Sequence, residues 1–212
     1  MRYLIFSDVH GNLPALENIL NRESGIDGYI NLGDVVNYGP WSNECVELIH
    51  SLENCVNIVG NHENYFLNGV CDVKSELVQA FFNTTFPSFT NNDKIGQYTE
   101  ELKVKGFRCT HTTEEIGYVF IDSNVQLKSN RMIGHSHQQY IRNISGYILL
   151  NPGSIGQNRR VLNISNYAIF DSSSGDIQLK STTYNLDLLI SEMINRGYPS
   201  QCINYYKSKK RV

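Results

Sequence analysis

Residues 3–20 read YLIFSDVHGNLPALENIL, and the change of period inside this stretch decides the class of fold. Tyr3–Phe6 is a short apolar run of strand length. Ser7, Asp8, His10 and Gly11 end it. Leu13, Leu16, Ile19 and Leu20 then recur at helical spacing, behind Asn12 as a capping residue and Pro14 in the first turn. Moving outward, the unit repeats. YINL (29–32) ends at Gly33-Asp34, SNECVELIHSLE (42–53) has a helical pattern, and VNIV (56–59) ends at Gly60-Asn61. This alternation predicts parallel strands joined by crossover helices.

Beyond residue 61 the patterns predict helices over 75–86, 97–105 and 185–197, and strands over 107–110, 118–122, 131–133 and 147–150. Residues 166–184 read as a β-hairpin turning near Ser174-Gly175, and Pro199 opens one last turn. Tyr3, Tyr29, Tyr118 and Tyr147 fall in these strands and are expected to pack. No repeat or linker interrupts the chain, so one domain over 1–212 is expected.

With 41% hydrophobic and 18% charged residues the composition is that of a soluble globular protein. No apolar run is long enough to span a bilayer. A net charge of -3 argues against a surface built to grip nucleic acid, and the basic end KSKKRV reads as a solvated terminus. The cysteines number five and none forms a CxxC pair, which argues against a disulfide framework and a cysteine zinc site. The opening MRYLIFSDVHG is too short for a secretory signal and reads as the first strand, so a reducing, cytoplasmic setting is expected.

The carboxyl end of each apolar run carries chemistry: SDVHG, GDVV and GNHE, then THT (110–112), GHSH (134–137) and NPGS (151–154). In an open α/β sheet the carboxyl ends of strands share one edge, where ligands bind. Asp8 and His10 are separated by one residue, as are His135 and His137, so extended backbone would turn each pair to one side. Gly11, Gly33, Gly60 and Gly134 permit tight turns or close backbone approach beside them. Five of the six histidines, at 10, 62, 111, 135 and 137, sit at such ends; His50 falls on a helix. Imidazole, carboxylate and amide oxygen together suit manganese, iron or zinc better than calcium or magnesium. There are enough donors for two ions if one carboxylate bridges them.

The ordered series D-x-H, G-D, G-N-H-E, a lone histidine and G-H-x-H resembles the calcineurin-like metallophosphoesterase superfamily. SDVHGNLPALE, GDVVNYGP and NPGSIGQ resemble its small single-domain prokaryotic-type phosphodiesterases. The likeness runs from residue 1 to about 184, with 64–106 poorly matched. It implies an α/β (α+β) fold, a four-layer α/β/β/α sandwich of two mixed sheets flanked by helices. It implies two divalent or trivalent metal ions, manganese foremost, with iron, zinc, nickel or cobalt as alternatives. Asp8, His10 and His137 would bind one ion, Asn61, His111 and His135 the other, and Asp34 would bridge them. His62 would stand beside the leaving-group oxygen as a proton donor or charge stabiliser. The implied reaction is hydrolysis of phosphodiesters or nucleotide-type phosphate esters by in-line attack of a metal-bridged hydroxide.

Asn12, Tyr38 and Arg159 lie beside these motifs as candidate substrate contacts, and Arg159 and Arg160 have the fork geometry that grips phosphate. Two positions depart from the family pattern. Asn37 stands where many phosphatases of the superfamily carry an acidic residue supporting the catalytic histidine, and Thr112 follows the lone histidine in place of glycine. The same site would also serve a phosphomonoesterase or a dinucleoside polyphosphate hydrolase. A non-enzymatic metal-binding scaffold of this fold is the rival from another class, but such scaffolds lose ligands or the catalytic histidine, and this chain retains both. The expected partner is a small phosphate ester, with no membrane or nucleic acid and with oligomerisation left open.

Overall fold

In the computed structural model, which describes residues 1–113 and 117–212, the opening stretch folds as its pattern predicts. β1 (Arg2–Phe6) leads through a tight loop to α1 (Leu13–Arg22), where the Asn12 side chain accepts the Ala15 N–H at 3.3 Å as an N-cap. There follow β2 (Gly28–Asn31), α2 (Ser42–His50), β3 (Cys55–Asn57), α3 (Asn61–Asn68), α4 (Glu76–Thr85) and α5 (Asn92–Ile95). The second half contains β4 (Glu101–Val104), β5 (Phe107–Thr110), β6 (Asn130–Met132), β7 (Gln139–Ile144), β8 (Tyr147–Pro152), β9 (Ile164–Asp171), β10 (Ile177–Thr183), α6 (Leu186–Asn195) and α7 (Ser200–Ser208).

The strands form two five-stranded mixed sheets, ordered β10-β9-β1-β2-β3 and β4-β5-β6-β8-β7. β1, β2 and β3 pair in parallel, as do β5, β6 and β8, so their carboxyl ends point one way within each sheet. The period of two along β1 divides its side chains between two cores. Tyr3 and Ile5 pack between the sheets with Ile30, Phe107, Met132 and Leu150. Leu4 and Phe6 face the helical layer, against Leu16, Ile19, Val46 and Leu189. On the outer face of the second sheet, Ile133, Tyr140 and Leu149 lie under Val119, Val125 and Leu127.

Several elements differ from the sequence expectation. Residues 97–105, expected as a helix, contain β4. Glu101–Val104 alternate exposed and half-buried, and a turn with Lys105 and Gly106 at φ 48° and 85° folds β4 back on β5. Residues 118–122, expected as a strand, are irregular. Two of their backbone donors go to side chains, Phe120 N–H to Ser123 Oγ at 2.9 Å and Ile121 N–H to Gln138 Oε1 at 2.8 Å, and so are not available to a ladder. Helix α3 and strand β7 were not expected, and Pro199 opens a nine-residue helix in place of a turn.

Candidate metal centre

The loops after β1 and β2 are laced together: Asp8 N–H donates to Gly33 O, His10 N–H to Asp34 O and Gly11 N–H to Val35 O, at 2.9, 3.0 and 2.7 Å. Asp8, His10 and Asp34 come from these loops, and Asn61 and His62 open α3 just past β3. His111 follows β5, and His135 and His137 follow β6, so the second sheet supplies the other side. Both sheets therefore meet in one cluster. The paired residues do not converge through extended backbone. Asp8, His10, Asp34, His135 and His137 have φ of 55°, 50°, 58°, 65° and 57°, left-handed conformations that Asp and His tolerate better than most residues. Each costs about 1–3 kcal/mol, strain that the surrounding lacework must hold.

The imidazoles are oriented from behind. His111 Nδ1 lies 2.6 Å from Leu32 O, His137 Nδ1 lies 2.6 Å from Gln157 O, and His10 Nδ1 lies 3.4 Å from Val36 O. A carbonyl only accepts, so each Nδ1 carries a hydrogen and each ring turns its Nε2 toward the cluster. The lone pairs of His10 and His137 face each other at 3.3 Å, with Asp8 Oδ1 3.2 Å from the His137 nitrogen. Asp34 Oδ2 lies 3.1 Å from His111 Nε2, which lies 3.2 Å from His135 Nδ1. Asp34 Oδ2 also comes within 4.0 Å of His10 Nε2, linking the two groups. Asp8 Oδ1 and Asn61 Oδ1 are buried and accept no hydrogen bond among the described residues. Converging lone pairs and orphaned oxygens repel one another unless a cation lies among them, so the donor set fits metal ions.

Ionisation obeys the same logic. Burial alone would raise the pKa of both carboxyls, but His137 outweighs it at Asp8, and His111 and His62 outweigh it at Asp34, so both titrate below the usual carboxylate range. Burial lowers His10 and His62, and brings His135 down to about 4 with help from His111. Burial would also lower His111, yet the adjacent Asp34 carboxylate prevails and lifts it to about 10. His111 thus holds a proton that a metal ion would displace.

A model of the calcineurin-like phosphoesterase superfamily domain matches residues 1–175. The chain belongs to that superfamily. It is 29% identical over 231 residues to an uncharacterized protein of Methanocaldococcus jannaschii, covering 92% of this chain and 93% of the relative. It is 28% identical over 162 residues to the phosphodiesterase YfcE of Escherichia coli, covering 73% and 79%. A solved metallophosphoesterase from Sphaerobacter thermophilus shares the fold, with a TM-score of 0.82 at 22% identity and 98% of each chain covered.

Around the metal-type donors, this phosphoesterase-superfamily chain carries a supporting shell. His62 Nδ1 lies 2.9 Å from Asn37 Nδ2, and the amide cannot be turned over, because Asn37 Oδ1 accepts the Tyr38 N–H at 2.7 Å. Asn37 therefore donates, His62 Nδ1 accepts, and the ring proton sits on Nε2. Glu63, fully buried, closes the GNHE motif, and no role was expected for it. Its carboxylate accepts four backbone N–H groups, from Asp34, Val35 and Val36 at 2.8, 2.7 and 3.2 Å and from Gly60 at 2.8 Å. Its position three residues past the turn glycine is a capping-box signal that the sequence did carry. A Cβ on Gly60 would fall on Asp34 Oδ1 and its backbone N, which is why only glycine fits there. NPGS braces the other side, where Ser154 Oγ donates to Asp8 O at 2.8 Å.

His10, Asp34, Asn61, His62, His135 and His137 line a cavity of about 70 Å³. Tyr38 and Arg159, two of the three candidate substrate contacts, are on its wall. Asn12 is not: it caps α1 and donates from Nδ2 to Gly156 O at 3.3 Å. Tyr118, expected as strand packing, stacks on His135 with ring centres 4.0 Å apart and joins the wall.

Proposed function

We propose that the chain, acting as one domain over 1–212 in the cytoplasm, is a metal-dependent phosphoesterase for phosphodiesters or nucleotide-type phosphate esters. In this reading Asp8, His10 and His137 hold one ion, Asn61, His111 and His135 hold a second, and Asp34 serves both. Manganese is the first candidate, with iron, zinc, nickel or cobalt compatible with the same donors. Ions bound there supply Lewis acidity toward phosphoryl oxygens and lower the pKa of a water. The protein's own groups orient and stabilise. His62 offers its Nε2–H to the departing oxygen, Asn37 fixes that tautomer, and Tyr38 and Arg159 bound the space where the ester lies.

The observation that carries the reading is the inward convergence of imidazole nitrogens on two buried oxygens that accept no hydrogen bond among the described residues, with Asp34 between His10 on one side and His111 and His135 on the other. An intact His62 beside that cluster favours catalysis over a purely structural metal site. The test is hydrolysis of bis(p-nitrophenyl) phosphate, beside p-nitrophenyl phosphate, by purified protein with manganese. Diester cleavage should vanish on chelation and fall about a hundredfold or more in Asn61→Ala that keeps its circular dichroism. Full activity in that variant, or no turnover of either ester by manganese-loaded protein, would sink the assignment.

A further inference from the structure

The 70 Å³ cavity accommodates a phosphoryl group and little of what it is esterified to. A groove of about 470 Å³ opens beside it and shares His137 and Arg159 with it. That volume is in the range of small-ligand sites. Two amides of the groove, Gln138 and Asn158, have donors to spare. Gln138 Oε1 already accepts Ile121 N–H at 2.8 Å, and Asn158 Oδ1 accepts Arg160 and Val161 N–H at 3.0 and 3.1 Å. Among the described residues their NH₂ groups make no hydrogen bond, so both can donate into the groove.

Arg159 and Arg160 line the same groove, and among the described residues neither pairs with a carboxylate. Elsewhere Arg2, Arg196 and Arg211 each have one. The Arg159 guanidinium lies 5.3 Å from the centre of the Tyr118 ring, which holds it between cavity and groove. Tyr118 in turn stacks on Phe120, with planes 8° apart and ring centres separated by 6.2 Å. An aromatic wall therefore runs from His135 outward, ending in Phe120 at 38% and Ile121 at 50% exposure. Two unpaired cations and spare amide donors beside a flat apolar wall are the complement of an anion joined to a planar ring.

We infer that this groove is a subsite for a substrate arm carrying a second phosphate and a heteroaromatic ring. The preferred substrates are then nucleotides with a phosphate beyond the scissile one, and a plain diester leaves the arginines unused. The inference rests on the phosphoesterase reading for the place of the scissile phosphate.

Equilibrium binding tests it without turnover. Adenosine 5′-(α,β-methylene)diphosphate and inorganic phosphate are titrated calorimetrically into protein at saturating manganese, using wild type, Arg160→Gln and Phe120→Ala. Wild type should bind the nucleotide at least about tenfold tighter than phosphate, the size of a charge-assisted contact plus stacking. Each variant should lose most of that margin while its phosphate affinity stays within about twofold. Equal affinities for the two probes in wild type, or parallel loss of both in the variants, would overturn the subsite while manganese-dependent phosphate binding leaves the metal centre standing. No binding of either probe would overturn both readings.

Discussion

Asn37 reproduces the geometry of an acidic partner for His62 and withholds its charge. With Oδ1 held by Tyr38 N–H, the Nδ2 group faces His62 Nδ1, so the imidazole presents a neutral Nε2–H. A neutral ring donates a hydrogen bond to a departing oxygen and gives up its proton only reluctantly. The wild type should accordingly depend steeply on leaving-group acidity. In Asn37→Asp the ionised carboxylate accepts a hydrogen bond from Nδ1–H and stabilises imidazolium, so rates for poor leaving groups should rise about tenfold or more and flatten that dependence. A series of aryl diesters of graded phenol pKa measures this, and identical slopes in both proteins would refute the tautomer assignment. The imidazoles and carboxylates of the cluster were legible in the sequence because such groups at strand ends have few other roles. Their convergence has another cause than strand alternation: the left-handed φ values at Asp8, His10, His135 and His137 turn each pair inward. Tyr118 was illegible, since a tyrosine in an apolar run looks the same whether it packs in a strand or stacks on a histidine.

Among elements, α3 matters most and was least visible. It is eight residues with a weak apolar pattern, and what starts it is tertiary: Glu63 ties the Gly60 turn at its N-terminus to three N–H groups after β2. Burial, seconded by Asp34, lifts the Glu63 carboxyl to about 7, so this tie forms against a desolvation cost. In Glu63→Gln one oxygen becomes an NH₂ facing two backbone N–H groups, whichever way the amide turns. Each donor left unsatisfied costs about 1–3 kcal/mol, so urea unfolding should show a loss of a few kcal/mol. Manganese affinity should fall with it, because Asp34 and Asn61 flank the tie. Unchanged affinity by calorimetry would show that the loops hold their positions without Glu63. The βαβαβ start was readable because strand and helix periods alternate cleanly there. Residues 97–105 were not, since β4 is four residues long and gains its identity from pairing with β5.

At the scale of the molecule, the centre joins two sheets: Asp8, His10 and Asp34 come from one, and His111, His135 and His137 from the other. Bound cations would cross-link them, and in metal-free protein the His111–Asp34 pair, at 3.1 Å, spans the gap alongside Asp8 and His137, at 3.2 Å. The direction of the shift sets the sign. His111 has a folded pKa of about 10 against an ordinary 6.5, so its contribution is complete below 6.5 and disappears as pH rises toward 10. Glu63, raised from 4.5 to about 7, adds a loss with rising pH that is complete near 7, and buried cysteines such as Cys109, raised to about 12, add one above their ordinary 9.0. Between pH 7 and 9 His111 dominates. Metal-free wild type should therefore lose stability steadily across that window, and His111→Gln should be nearly flat, with urea midpoints as the readout. Saturating manganese should cancel most of the slope, because metal-loaded protein holds no proton on His111 and the gain in metal affinity with pH offsets the loss of the pair. A metal-free wild type as flat as His111→Gln would mean that the two sheets are not held together through this pair.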